Sequence, residues 1–131
     1  MPVSIGDPCP AVHGSLLVLE DDYKLGTLLD GVLTMAGYDA FLAGTRSEAL
    51  NHLTASSIAA SVLEWSTPEG GAVPVADHLF AHSIPNVVTS VAAAHHLLPG
   101  RHQSAPFLPK PYTIPDLINA VGASRASSVH A

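Results

Sequence analysis

The sequence predicts an α/β fold in which a parallel sheet of five strands is covered by helices on both faces. Short apolar runs alternate with amphipathic segments through most of the chain. The first run, Ser15–Leu19, lacks polar alternation, as expected of a strand that is buried on both faces. Acidic or other polar side chains follow the runs at the points where they stop.

Each predicted strand is a short apolar run bounded by polar or turn-forming residues. The five runs span residues 15–19, 38–43, 58–63, 85–89 and 106–108. Because a helical segment separates each run from the next, successive strands are expected to be parallel.

The first two predicted helices have clear starts or ends. Apolar residues recur at helical spacing from Leu25 to Leu33, and Gly37 is expected to end this first helix. Thr45 and Glu48 form a capping box, which predicts the start of the second helix.

The last three predicted helices are less regular. Residues 75–82 are expected to form a helix whose inward face includes Phe80. Residues 92–98 are expected to form a weak helix, closed by a Pro-Gly pair. Thr113 is expected to cap the last helix, with an acid, Asp116, three residues on.

The 131 residues are enough for one domain, predicted at residues 14–122. Residues 1–13 hold several prolines and are expected to form a flexible arm. Residues 123–131 are mostly Ala and Ser and are expected to form a disordered tail.

Charge and composition exclude several functional classes. The formal charge is −6, with only five Lys and Arg, which argues against a nucleic-acid partner. No apolar run reaches the roughly 20 residues of a membrane span, and a single cysteine, Cys9, forms no internal disulfide; a cytoplasmic protein is expected. The eight histidines are interpreted as lacking a paired metal spacing, with His95 and His96 at the surface.

Chemically active side chains gather at the predicted carboxyl ends of the strands, where ligands bind in such folds. They are Glu20, Asp21 and Asp22 after the first strand, Glu64 after the third, Thr89 and Ser90 at the fourth, and Lys110 after the fifth. Carboxylates suit Mg²⁺, whereas a lysine and a hydroxyl suit phosphoryl oxygens. The set is typical of a site for a hard cation beside a phosphoryl group.

The motifs at these strand ends resemble those of response-regulator receiver domains, especially stand-alone bacterial ones. The resemblance covers most of the chain and is carried by residues 17–22, 61–70, 75–79, 84–90 and 106–112. It implies a flavodoxin-like, doubly wound, three-layer sandwich with strand order 2-1-3-4-5 and five helices. The strand containing Pro109 would then lie at the sheet edge, where a missing N–H is tolerated.

The same resemblance implies a role for each site residue. Glu20 and Asp21, with Glu64, would hold Mg²⁺, and Glu64 takes the phospho-acceptor position. Ser90, or Thr89 one residue earlier, is the switch hydroxyl, and Phe107 is the aromatic switch. Lys110 contacts the phosphoryl oxygens or, without them, Glu64. The Lys110–Pro111 peptide is expected to be cis. No residue is assigned as catalytic.

Glu64 departs from the family pattern, which has an aspartate at this position. Its extra methylene moves the carboxylate by about 1 Å, a displacement that can cost two orders of magnitude in rate. Three alternatives stand: a phosphorylation-independent or phosphomimetic module, a receiver that still binds Mg²⁺ or accepts phosphate, and a decayed site.

Some of these residues also have simpler interpretations. The three acids after the first strand could merely cap the first helix. Ser90 could be a turn residue, Lys110 solvent-exposed and Phe107 plain core. Trp65 is interpreted either as a lid over the site or as part of a partner surface.

The sequence therefore predicts a signalling protein of a two-component phosphorelay that docks on other proteins and turns over no substrate. The implied partners are a histidine kinase or phosphotransfer protein and a downstream target, and a homodimer stays open. The alternatives are a Mg²⁺-dependent phosphoryl hydrolase and a purely structural dimerisation module.

Overall fold

The structure is a computed structural model, which describes residues 13–67 and 71–129. Nearly all of the expected N-terminal arm, residues 1–13, lies outside the described residues. So do residues 68–70 of the loop that follows the third strand.

Five strands form one parallel sheet in the order β2-β1-β3-β4-β5, which confirms the predicted topology. The strands are β1 (Ser15–Leu19), β2 (Asp39–Ala43), β3 (Ala60–Glu64), β4 (Asn86–Val91) and β5 (Phe107–Lys110). Among the described strands, β5 pairs with β4 alone, so Pro109 lies on an edge strand, where a missing backbone N–H is tolerated.

Within residues 13–67 and 71–129, four α-helices connect or follow the strands, one fewer than predicted. They are α1 (Tyr23–Met35), α2 (Arg46–Ala55), α3 (Val73–Ala81) and α4 (Ile114–Val129). The expected weak helix is instead a 3₁₀ helix at Ala92–Leu97, followed by a shorter one at Gly100–His102. No side chain caps the first of these, and Pro99 follows closely, so a regular α-helix is not favoured. Within the described residues, no helix has the length and apolar character needed to cross a membrane.

Alternation along the strands builds a separate core on each side of the sheet. Leu17 and Leu63 point into one core, which α2 and α3 cover. Leu16 and Val62 point into the other, which α1 and α4 cover. Both faces of the central strands are therefore buried, and the predicted three-layer sandwich is confirmed.

The last helix is longer than the sequence predicted. Residues 123–129 continue α4, whereas a disordered tail was expected from residue 123. Ser124 is buried and its hydroxyl donates to the Val121 carbonyl at 3.1 Å, while the Arg125 guanidinium lies 5.6 Å from the centre of the Tyr38 ring. These contacts favour helix in a segment whose Ala and Arg residues already have good helix propensity.

Phe80 was wrongly predicted to face the core. Its exposed fraction is 62%, whereas Val75, Ala76 and Leu79 are fully buried. Residues 75, 76 and 79 define the inward stripe of α3, and Phe80 falls at its margin. The Phe80 ring instead packs edge-on against His102, with ring centres 5.9 Å apart.

Polar contacts link the segment between β4 and β5 to α3. The Arg101 guanidinium donates two hydrogen bonds to the Asp77 carboxylate, at 2.7 and 3.1 Å. His102, which is buried, places Nε2 2.8 Å from Asp77 Oδ1. The hydrogen bonds from Arg101 and His102 lower the pKa of Asp77 to about 2.

We predict that Thr45→Ala lowers the free energy of unfolding by about 1 kcal/mol, the usual contribution of an N-cap hydrogen bond. Thr45 Oγ1 accepts from the Glu48 N–H at 3.2 Å and caps α2. The measurement is urea unfolding. Thr34→Ala, an exposed site inside α1, is the matched control and should change stability little. Equal effects of the two substitutions would contradict the capping role.

The Asp77 network predicts a pH-dependent difference between the native chain and Asp77→Asn. Because the pKa of Asp77 is lowered in the folded state, its stabilisation is complete above the ordinary value of 3.8 and is lost as the pH falls through about 2. The native chain should therefore be more stable near neutral pH, and the gap should narrow steadily below 3.8. Urea unfolding across this pH range measures the difference in stability. Asp39→Asn, at an exposed position, is the control. A gap that does not depend on pH would argue against the ion pair.

Candidate functional site

The candidate site lies at the carboxyl edge of the sheet. Glu20 directly follows β1, Glu64 is the last residue of the neighbouring strand β3, and Lys110 is the last residue of β5. Parallel strands bring these ends to one edge, so residues 90 positions apart in the chain meet.

Lys110 bridges the two glutamates. Its Nζ lies 2.8 Å from Glu20 Oε1 and 2.6 Å from Glu64 Oε1. The exposed fraction is only 3% for Glu20 and 6% for Glu64, whereas the lysine side chain is about one quarter exposed. Two carboxylates removed from water thus share one ammonium as their counter-charge.

The other oxygen of each glutamate accepts a backbone hydrogen bond. The Asp22 N–H donates to Glu20 Oε2 at 3.1 Å, and the Ser66 N–H donates to Glu64 Oε2 at 3.2 Å. In both cases the donor lies two residues after the acid, a local pattern that fixes the carboxylate against its own backbone. All four carboxylate oxygens therefore have a partner.

Burial and pairing shift the ionisation of this cluster. Burial raises the pKa of Glu20, and the hydrogen bonds from Lys110 and the Asp22 backbone offset only part of that effect. Burial by itself would lower the pKa of Lys110, but its hydrogen bonds to Glu20 and Glu64 raise it well above its ordinary value. The ammonium therefore stays charged at physiological pH.

The three acids after β1 have different positions. Asp22 caps α1, because its Oδ1 accepts from the Lys24 and Leu25 N–H groups at 3.0 and 3.2 Å. Asp21 is exposed, while Glu20 points into the site. Helix capping thus accounts for one acid, and the other two remain at the sheet edge.

A hard cation fits the carboxylates gathered here. Glu20, Asp21 and Glu64 can each offer one oxygen, and these oxygens lie within 4.8 Å of one another. Oxygen donors suit Mg²⁺, which retains several waters and needs only a few carboxylates. Such an ion would compete with Lys110 for Glu20 and Glu64.

Of the two candidate switch hydroxyls, the one on Ser90 faces the loop after β3. Thr89 and Ser90 are both buried and, as successive strand residues, point to opposite faces of the sheet. Ser90 Oγ lies 3.5 Å from Ser66 Oγ. Ser90 therefore reaches the Glu64 loop through Ser66.

Two aromatic residues that the sequence linked to the site, Phe107 and Trp65, pack with the core. Phe107 is partly buried, packs on the core and lies 4.7 Å, between ring centres, from His95. Trp65 belongs to the core and packs edge-on against His102, so it is neither the lid nor the partner surface expected from the sequence. His95 is half-buried by this contact, unlike the surface residue that was expected; His96 is exposed.

Sequence reasoning missed two residues at the site. Ser66 touches both Glu64, through its N–H, and Ser90, through its hydroxyl. The Tyr112 hydroxyl is buried and has no hydrogen-bond partner among the described residues; burial, then the charge of Glu20, raises its pKa to about 12. Tyr112 follows the Lys110–Pro111 peptide, which is cis as predicted. The position of Tyr112, two residues after Lys110, was the feature of the sequence that could have identified it.

A separate groove of about 670 Å³ lies at the opposite end of the sheet. Its lining includes Pro85 and Asn86 at the start of β4 and Pro106 just before β5. Because these are the amino ends of the strands, the groove does not belong to the acidic site.

No family model and no curated protein matches the sequence. Solved structures do match. A sensor protein from Polaromonas sp. JS666 superposes with a TM-score of 0.77 at 22% identity, covering 88% of this chain and 98% of that one. The non-phosphorylated HemR receiver domain from Leptospira biflexa gives 0.75 at 26% identity, covering 86% and 94%. This chain has the receiver-domain fold.

A third structure with the receiver fold is TrrA from Thermotoga maritima, solved in complex with Mg²⁺ and BeF. It superposes with a TM-score of 0.74 at 18% identity, covering 84% of this chain and 97% of that one. The likeness supports the fold that the strand-end motifs predicted.

We predict that Lys110→Met lowers the free energy of unfolding by about 2–3 kcal/mol near neutral pH, because two buried carboxylates lose their counter-charge. The lysine is partly exposed, so the cost is below that of a fully buried pair. The loss of stability should shrink as the pH falls toward 4.5, the ordinary pKa of a glutamate. Because the pKa of Glu20 is raised, its carboxylate takes up a proton before the pH reaches that value.

Urea unfolding at several pH values measures this loss. Lys24→Met, which removes an exposed lysine from α1, is the matched control and should have little effect. Equal stability of the two variants at neutral pH would contradict the account of the site.

Proposed function

We propose that this chain is a receiver-type signalling module of a two-component phosphorelay that acts without phosphorylation of Glu64. The observation that carries the proposal is the 2.6 Å contact between Lys110 Nζ and Glu64 Oε1. In the receiver family that the motifs resemble, this lysine contacts the phosphoryl oxygens or, without them, the acid at the acceptor position. Here the longer acidic side chain itself supplies the oxygen.

The state of Glu64 also disfavours its action as a nucleophile. One oxygen is held by Lys110 and the other by the Ser66 N–H, and the residue is 6% exposed. In-line attack needs the reacting atoms about 3–3.5 Å apart, and an error of about 1 Å can cost two orders of magnitude in rate. An attack would require at least one of these contacts to break.

The carboxylate imitates a phosphorylated side chain only in part. It brings one negative charge to Lys110, whereas a phosphoryl group carries nearly two and has three acceptor oxygens. The site is thus biased toward the arrangement that phosphorylation would produce, and Ser90 remains linked to it through Ser66.

Mg²⁺ has a weaker role in this proposal than in a phosphorylated receiver. Glu20, Asp21 and Glu64 would hold the ion, and its chemistry would be to neutralise charge on a phosphoryl group. Because Lys110 already neutralises two of these acids, we expect Mg²⁺ to bind weakly.

The output of the module would be protein docking, with a histidine kinase or phosphotransfer protein and a downstream target as partners in the cytoplasm. Val91 and Leu97, on the segment between β4 and β5, have exposed fractions of 61% and 68%. Val91 pairs with Lys110 of β5, and the 3₁₀ helix that contains Leu97 also contacts β5. This face is the proposed contact surface.

We predict that Glu64→Asp restores phosphorylation that the native chain lacks. Both forms would be treated with a small-molecule phosphoryl donor and Mg²⁺, and the covalent adduct measured by intact mass. Shortening the side chain by one methylene should release Lys110 and place the carboxylate where in-line attack is feasible. Glu64→Gln, which keeps the length but cannot accept a phosphoryl group as a carboxylate, is the matched control.

Labelling should increase at least about a hundredfold from native to Glu64→Asp. If the native chain is labelled as strongly as Glu64→Asp and Glu64→Gln is not labelled, phosphorylation-independent action is contradicted. An unlabelled Glu64→Asp would show that the pocket is unfit for reasons other than side-chain length.

A further inference from the structure

Two histidines stack at the end of α3, and neither belongs to the acidic cluster at the sheet edge. His78 and His82 are four residues apart, and their ring centres lie 4.2 Å apart with planes at 16°. His82 is exposed and His78 is partly exposed. Residues at this spacing share one face of a helix. The histidines therefore do include a pair with metal-ligand spacing, and the interpretation from the sequence was wrong on this point.

A backbone contact sets the tautomer of His82. Its Nδ1 lies 2.9 Å from the His78 carbonyl oxygen, which can only accept a hydrogen bond. Nδ1 therefore donates, and in the neutral ring Nε2 keeps its lone pair on the side away from that carbonyl. Metal-ligating histidines are usually held in this way, with the second ring nitrogen donating to a carbonyl or carboxylate.

The electrostatic surroundings favour a cation. The pair lies at the carboxyl end of α3, where the helix dipole places partial negative charge, and the whole chain carries a formal charge of −6. The guanidinium of Arg101 is paired with the Asp77 carboxylate, so its positive charge is locally compensated.

We propose that His78 and His82 form a binding site for a borderline divalent transition-metal ion, of the class of Zn²⁺, Ni²⁺ and Cu²⁺. Imidazole nitrogens are preferred ligands of these ions, whereas the carboxylates at the sheet edge suit harder ions such as Mg²⁺. The two sites differ in place and in preference, and this proposal does not depend on the signalling role.

One histidine ring must rotate before the pair can hold an ion. A tetrahedral Zn²⁺ lies about 2.0–2.1 Å from each nitrogen, which places two ligating nitrogens about 3.3 Å apart. In the stack the two ring planes are nearly parallel, so the nitrogen lone pairs do not converge on one point. Rotation of the partly exposed His78 ring would bring them together while His82 keeps its hydrogen bond to the His78 carbonyl. Two coordination positions remain for water or for a ligand from another molecule, and the affinity is lower than at a closed four-ligand site.

The test is a calorimetric titration of the full, untagged chain with ZnCl₂ in excess Mg²⁺, which occupies hard-ligand sites. The native chain should bind one Zn²⁺. Each of His78→Gln and His82→Gln should weaken that binding at least about tenfold. The matched control is His96→Gln, which removes an exposed histidine from another segment and should leave Zn²⁺ affinity unchanged.

A second measurement avoids any dependence on the folding of the variants. In the native chain, the imidazole NMR signals of His78 and His82 should respond to substoichiometric Zn²⁺ before those of the other histidines. Absence of Zn²⁺ binding, unchanged affinity in both pair variants, equal weakening by His96→Gln, or a first response at other histidines would each overturn the proposal.

Discussion

The sharing of one ammonium by two buried carboxylates is the constraint on which the site depends. Lys110 Nζ contacts Glu20 and Glu64 at 2.8 and 2.6 Å, and through them the end of the edge strand β5 is tied to the ends of the central strands β1 and β3. Burying such charges costs several kcal/mol per ion, which only close pairing and complete hydrogen bonding can offset. The backbone donors at Asp22 and Ser66 complete that bonding.

In the proposed function, this constraint gives the reason why one methylene matters at position 64. The additional length lets the carboxylate meet Lys110 while its second oxygen still accepts from Ser66. In the proposed function, the same contacts keep Glu64 from acting as a free nucleophile and put its negative charge where a phosphorylated receiver would carry a phosphoryl group. In this proposal, the position of the Glu64 carboxylate, more than its acidity, decides whether it pairs with Lys110 or acts as a nucleophile.

The sequence was sufficient for the sheet and for most of the site because both follow from short-range rules. Unalternating runs such as Ser15–Leu19 require burial on both faces, and the parallel order then brings Glu20, Glu64 and Lys110 to one edge. The capping box at Thr45 was equally local, and the structure contains its hydrogen bond.

The misses depend on contacts between distant residues or on a pattern that was overlooked. Phe80 has the spacing of a core residue, but its ring packs against His102 at the surface. Residues 123–129 look like a polar tail, yet Ser124 is buried and Arg125 lies on Tyr38. Trp65 enters the core beside His102. These contacts form only once the chain has folded.

The most direct test of the central claim is NMR detection of scalar couplings across the hydrogen bonds of Lys110. With ¹⁵N-labelled lysine and ¹³C-labelled glutamate, the account predicts couplings from Lys110 Nζ to the side-chain carboxyl carbons of both Glu20 and Glu64. Coupling to neither, together with fast exchange of the ammonium protons with water, would show a solvated lysine and contradict the bridged site.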